Sequence, residues 1–264
     1  MKSKAGASPY IVWMVVFVAV PLAIVVYFAF TTRDGAFTLE NITGLGAYTT
    51  VFARGIVQAV IATVICLIVA FPIGFMLSRM APAHQKMMQM LIMLPMWMNF
   101  LLRTYAWMTL LENNGLINRF LGLFGIGPLH MINTSGAVVL GMVYNYLPYM
   151  ILPLYTIMVK IDQSVIEAAQ DLGANQFHIL TRVLVPLAMP GITMVFVPSI
   201  STFIISRMLG GGSNLLPGDL IEMQFLGNSY NYNLGSAMSL VLMVIVLLCM
   251  SFTTADTEEM EAMV

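Results

Sequence analysis

Residues 56–77 read "IVQAVIATVICLIVAFPIGFML", a stretch without one Asp, Glu, Lys or Arg. A bilayer's hydrocarbon core is about 30 Å thick, and a helix crosses it in about 20 apolar residues. This run is therefore long enough to span. Five more apolar runs of comparable length lie at 11–30, 87–111, 137–158, 183–205 and 234–252. The expected fold class is an all-α integral membrane protein with six transmembrane helices, forming one domain across residues 1–264. Composition agrees: 9% of the residues are charged, against about 25% in soluble proteins, too few to clothe a water-soluble globule. The 24 methionines and the 11% aromatic content are read as lipid-facing and packing bulk. Basic residues are scattered rather than gathered on one stripe, which excludes nucleic-acid binding. Cys66 and Cys249 sit in apolar runs and are read as small hydrophobes, with no metal site or disulfide framework.

Lys2 and Lys4 precede the first run, which is longer than the apolar core of a secretory signal and is read as a span. Alternation then puts both termini and the segments 78–86 and 159–182 on one side. That side carries Lys2, Lys4, Arg79, Lys86, Lys160 and Arg182, against Arg33, Arg54, Arg119 and Arg207 on the other. The bias is small but in the direction of cytoplasmic termini in a bacterial inner membrane. The acidic tail "ADTEEMEAMV" (255–264) does not oppose this, because Asp and Glu contribute little to topology. The outer segments 31–55 and 206–233 are rich in Gly, Asn and Thr and are expected to be loops. "LGGGSNLLPGD" (209–219) has no Lys-Ser/Thr after its glycines and reads as a turn rather than a phosphate cradle.

The chemistry that is missing narrows the function. The acids Asp34, Glu40, Glu112, Asp162, Glu167, Asp171, Asp219 and Glu222, those of the tail, and His84, His130 and His178 all fall in loops or at span ends. An intramembrane protease, a zinc hydrolase and a proton-coupled carrier each keep such groups inside their spans. No G-x-x-x-x-G-K-[ST] run is present, so no ATP cradle is expected. The chain reads as a non-enzyme without its own cofactor. Uphill movement through it would need another subunit to supply the energy.

The run "SVIEAAQDLGANQFHILTRVLVP" (164–186) is out of keeping with the rest, with Glu167, Asp171, His178 and Arg182 between apolar spans. Ser164 and Glu167 form an S-x-x-E capping box that starts a helix, and Gly173 suits its left-handed end. The helix would be about 12 Å long, too short to persist alone in water. A capping box accounts for Glu167 without a partner, and a solvated face accounts for Asp171 as well as an inter-subunit ion pair does.

Glu167-Ala168-Ala169, three residues, Gly173, nine residues, then Val183 and Val185-Pro186 resemble the E-A-A-x3-G-x9-I-x-L-P signature of ABC importer permeases, with Val in place of Ile and Leu. The resemblance implies a coupling helix between the fourth and fifth spans. It would seat Glu167, Ala168, Ala169, Asp171 and Gly173 against a separate ATPase that holds ATP and Mg. The strings 94–118, 144–156 and 184–192 are similar to permeases of spermidine/putrescine importers. That resemblance implies a homologous second permease, two ATPase copies and an external polyamine-binding protein, which Asp219 and Glu222 would face. A polycation needs acceptors or aromatic faces, which makes Trp97, Asn99, Tyr105, Tyr144, Asn145 and Tyr149 the candidate substrate path, with Trp107 and Tyr146 beside them. Arg103 would repel a polycation and is expected to snorkel outward or pair with an external carboxylate. Pro186, Pro190 and Pro198 are expected to kink the fifth span. Two alternatives stand beside this reading: an ABC permease for another small solute, and a channel or scaffold needing no ATPase.

Overall fold

The computed structural model describes residues 8–160, 188–226 and 230–261, the last with side chains as far as Ser251. The helices are α1 (Ser8–Ala29), α2 (Glu40–Thr43), α3 (Thr49–Ser78), α4 (Pro82–Trp97), α5 (Phe100–Leu111), α6 (Leu116–Gly122), α7 (Ser135–Lys160), α8 (Met189–Ser201), α9 (Ile204–Gly210), α10 (Pro217–Leu226) and α11 (Tyr232–Glu261). A 3-10 turn (Gly44–Tyr48) joins α2 to α3, and the described residues hold no β-structure beyond one bridge between Thr31 and Phe37.

Four of these helices, α1, α3, α7 and α11, are long and apolar enough to cross a membrane, and α8 with α9 makes a fifth when the bent pair is taken as one. α1 carries no buried side chain before Ala29. Its Val15–Ala19 turn is a π-turn in which the Val20 N–H reaches back to the Val15 carbonyl. The wide turn accommodates Pro21, which has no N–H of its own to donate.

The core is built on α3, whose Gly55, Ala59, Ala62, Cys66, Ala70 and Gly74 recur every three or four residues, all buried. Small side chains at helical spacing let two backbones approach closely, and α7 lies along this stripe. A Cβ on Gly74 would meet Met158 Sδ at 3.4 Å and the Tyr155 backbone nitrogen at 3.5 Å. α8 and α9 run antiparallel to α7: Gly191 lies against Met150 and Pro153, Gly141 against Ile205 and Leu209, and Gly210 against Val138. Lys160 and Ala188 therefore lie toward the end where α3 turns into α4. Gln85 staples that turn, donating to the Ser78 and Met80 carbonyls while its Oε1 accepts from the Tyr155 hydroxyl. At the opposite end Asn133, Ser135 and Asn214 are tied together.

Three expectations need correcting. The run 87–111 is not one helix: α4 has 16 residues and α5 has 12. Pro95 lacks the N–H that the Leu91 carbonyl would need, Met98 is extended, and Asn99 caps a new start by accepting the Leu101 N–H at 2.8 Å. The segments 31–55 and 206–233 are largely helical rather than loops, since α3 begins at Thr49, and α9 and α10 fall within the second. The bend of the fifth span is 64° and sits at Thr202–Phe203, beyond the prolines. Pro190 occupies the first turn of α8, where a missing N–H costs nothing; Pro186 lies outside the described residues.

Candidate functional site

The polar groups of the helical core gather where the bent pair faces α7 and α5. Thr202 ends α8 in an extended conformation, so the last carbonyls of α8 lack intrahelical donors. The Tyr146 hydroxyl of α7 donates to one of them, the Pro198 carbonyl, at 3.3 Å, and lies within electrostatic reach of Thr202, Tyr149 and Arg103. Tyr149 sits beside it, ring centroids 6.5 Å apart. Asn145, one residue earlier, is buried; its Nδ2 donates to the Gly141 carbonyl at 2.8 Å, while its Oδ1 has no partner among the described residues. Tyr144 meets Trp107 of α5 edge to face at 5.3 Å.

On α5, Phe100, Arg103 and Trp107 share the face turned to this cluster, being three and four residues apart. Arg103 is 8% exposed, with its guanidinium 6.0 Å from the Phe100 ring centre and both Nε and Nη1 buried without an acceptor among the described residues. It neither snorkels outward nor meets an external carboxylate, contrary to expectation, because its helical face points into the bundle. The cluster thus gathers one buried, unpartnered amide oxygen, hydroxyls and aromatic faces around a cation with no counter-charge among the described residues. Such a site has the acceptors and aromatic faces that an ammonium needs, with no carboxylate among its described residues to hold one tightly.

Of the residues predicted for a substrate path, Tyr144, Asn145 and Tyr149 all stand on α7, Asn145 buried and Tyr149 41% exposed at the edge of the cluster. The structure does not bring the others there. Trp97 is 70% and Tyr105 52% exposed, Tyr105 on the outward face of α5, and the Asn99 side chain is engaged as the α5 cap. Glu167, Ala168, Ala169, Asp171 and Gly173, and with them the expected coupling helix, lie outside the described residues. Sequence reasoning missed Thr202 as a helix break; the hydroxyl run Ser199-Ile200-Ser201-Thr202 after Pro198 is its one local sign.

A second polar knot closes the opposite end. Asp219 is fully buried, its Oδ2 accepting from Ser206 Oγ at 2.6 Å and from the Leu216 N–H at 2.8 Å. The latter is the back-reach of a third-position acid to the residue capping α10. Burial pushes the Asp219 carboxyl above its ordinary range, opposed by the hydrogen bonds from Ser206 and Leu216 and by Arg207. Asp219 therefore does not face an external partner, which the resemblance to the importer permeases had implied. Glu222 is engaged as well, paired with Arg207.

Several membrane-crossing helices around a bent span and a weakly polar core, with no metal-binding group of His, Cys, Asp or Glu among the described residues, define a multi-pass membrane protein suited to passing a solute. The chain matches the family described as the binding-protein-dependent transport system inner membrane component over residues 41–255, and it belongs to that family. It is accordingly a transport component and not an enzyme. It is 39% identical over 250 residues to the spermidine/putrescine transport system permease protein PotB of Haemophilus influenzae, covering 89% of this chain and 87% of that relative. It is 35% identical over 248 residues to PotB of Escherichia coli K12, covering 89% and 90%. In fold it resembles a crystallised bacterial ABC transporter that imports the acidic polysaccharide alginate, with a TM-score of 0.67 at 18% identity over 95% of this chain and 94% of that one; at that identity the likeness speaks for the fold alone.

Proposed function

We propose that this chain is one permease subunit of an ATP-driven ABC importer that carries spermidine and putrescine inward. The observation that carries the reading is the 39% identity to a spermidine/putrescine permease over nearly the whole chain. The core cluster is compatible with it: Asn145 Oδ1 and the faces of Tyr144, Tyr146 and Tyr149 suit an ammonium in transit. The absence of a carboxylate among them suits a substrate that must leave again, with selectivity residing in an external polyamine-binding protein. Arg103 marks the wall of the path rather than a contact.

In this reading the chain crosses the membrane six times, α4 and α5 together making the third crossing and α8 with α9 the fifth. Both termini and the 159–182 segment face the cytoplasm of a bacterial inner-membrane system. Glu167, Ala168, Ala169, Asp171 and Gly173 dock on a separate ATPase, present in two copies, which binds ATP and Mg. A homologous second permease completes the pore, and the Asn133–Ser135–Asn214 end meets the binding protein. The test is uptake of labelled spermidine into vesicles holding the whole transporter. Uptake that requires ATP and the binding protein and is competed by putrescine supports the proposal. ATP-dependent uptake of a different solute with none of spermidine overturns the substrate, and uptake indifferent to ATP overturns the importer.

A further inference from the structure

A groove of about 590 Å³ runs between α3 and α7 on the outside of the bundle. Its mouth, near the start of α3, holds Arg54, and Val57, Gln58, Ile61, Ile65 and Leu140 line its length. Val57, Ile61, Ile65 and Leu140 are exposed, so the groove opens sideways, where a bilayer would lie. Two features do not fit a passive apolar surface. Gln58 is 4% exposed, yet neither its Nε2 nor its Oε1 has a partner among the described residues. Arg54 donates one N–H to the Ser213 carbonyl at 3.2 Å and has no carboxylate within ion-pairing reach among the described residues.

The order of these groups along α3 is a cation, then an amide about 6 Å deeper, then aliphatic walls reaching about 16 Å below Arg54. A glycerophospholipid has that order: a phosphodiester, an ester carbonyl one glycerol below it, and an acyl chain. We propose that this groove is a binding site for one phospholipid, whose phosphate accepts from the free N–H groups of Arg54 and whose ester carbonyl accepts from Gln58 Nε2. The acyl chain fills the space between Ile61, Ile65 and Leu140. Arginine presents paired donors to phosphate, and an amide buried one turn deeper gains the acceptor that the protein itself does not supply. The lipid seals the α3–α7 seam on which the core is built.

The test places the photo-crosslinker p-benzoylphenylalanine at Ile61, inside the groove, and separately at Val60, outside it, in the full chain in cell membranes. Irradiated protein is weighed by mass spectrometry. The expected product at Ile61 is a phospholipid adduct that Arg54→Gln lowers about fivefold, the effect of one basic group on a lipid surface charge, and that Arg54→Lys largely restores. The Val60 adduct should not respond to either substitution, and equal membrane levels of the variants exclude a folding defect. A phospholipid adduct at Ile61 indifferent to Arg54→Gln, as for bulk lipid, overturns the site. So does capture of another polypeptide at Ile61, which would make the groove a subunit interface.

Discussion

The contact that holds the bent span against α7 is open to a direct stability test at Gly141. A Cβ there would lie 2.5 Å from Leu209 Cδ1 and 2.8 Å from Ile205 Cγ2, both closer than packed carbons approach. Ile205 is β-branched and stiff, and both neighbours are fully buried, so neither can swing aside freely. Overpacking of this kind costs about 1–3 kcal/mol. Replacing a helical glycine by alanine returns about 1 kcal/mol, leaving Gly141→Ala about 1 kcal/mol less stable and its Tm about 2–4 °C lower for a chain of this size. The assay is thermal unfolding in detergent, with Gly44→Ala, where nothing lies within 4 Å, as the reference. Leu209→Ala removes the obstructing methyls. Its combination with Gly141→Ala should therefore be less damaging than the two losses added, by at least about 0.5 kcal/mol. Equal Tm for Gly141→Ala and wild type, with no coupling to Leu209, would refute the close packing of α9 on α7.

Asp219 gives a pH signature. A carboxyl whose folded value is raised contributes stability that is fully present below the ordinary carboxylate range, near pH 4, and lost as pH rises through the raised value. Tm should fall over that rise and Asp219→Asn should flatten the profile, read by unfolding scans at stepped pH; a wild-type profile already flat would show the burial to be wrong. Arg103→Met keeps an unbranched apolar stem and removes the guanidinium with its two unpartnered donors, so Tm should be unchanged or higher, whereas a guanidinium that braces the fold would make the variant clearly less stable. Asn145→Leu removes the free acceptor in the core and should raise the KM for spermidine uptake about tenfold, the scale of a hydrogen bond to a charged group. Equal uptake kinetics would remove Asn145 from the path.

The all-helical membrane class was legible because hydrophobic length is a local property of each run. Breaks were less so. Pro95 and Asn99 both stand in the sequence near the α4–α5 junction, but a proline within an apolar run is compatible with a kinked continuous helix. Only the conjunction of Pro95 with the Asn99 cap decides it. The bend at Thr202 lies four residues beyond Pro198, because tertiary packing of Ile205, Leu209 and Gly210 on α7 sets where the chain turns. Asp219 looked like an exposed loop acid because its partners, Ser206 and the Leu216 N–H, become its neighbours only once α9 and α10 fold together. Arg103 misled for a related reason. The sequence shows its nine-residue separation from Glu112 but not which helical face the bundle covers. Tyr144, Asn145 and Tyr149 share one helix in the sequence as in the structure, whereas Trp97 and Tyr105 stand at exposed positions away from that cluster, a placement set by which helical face the bundle covers.

The proposal that ATPase motion enters this chain through the segment around Glu167 is tested most directly by ATP-driven spermidine uptake in vesicles carrying the assembled transporter with Glu167→Lys or Gly173→Pro. The account predicts that both variants reach the membrane in normal amounts and lose uptake, while the isolated ATPase still hydrolyses ATP. Uptake at the unmodified rate in both would contradict it.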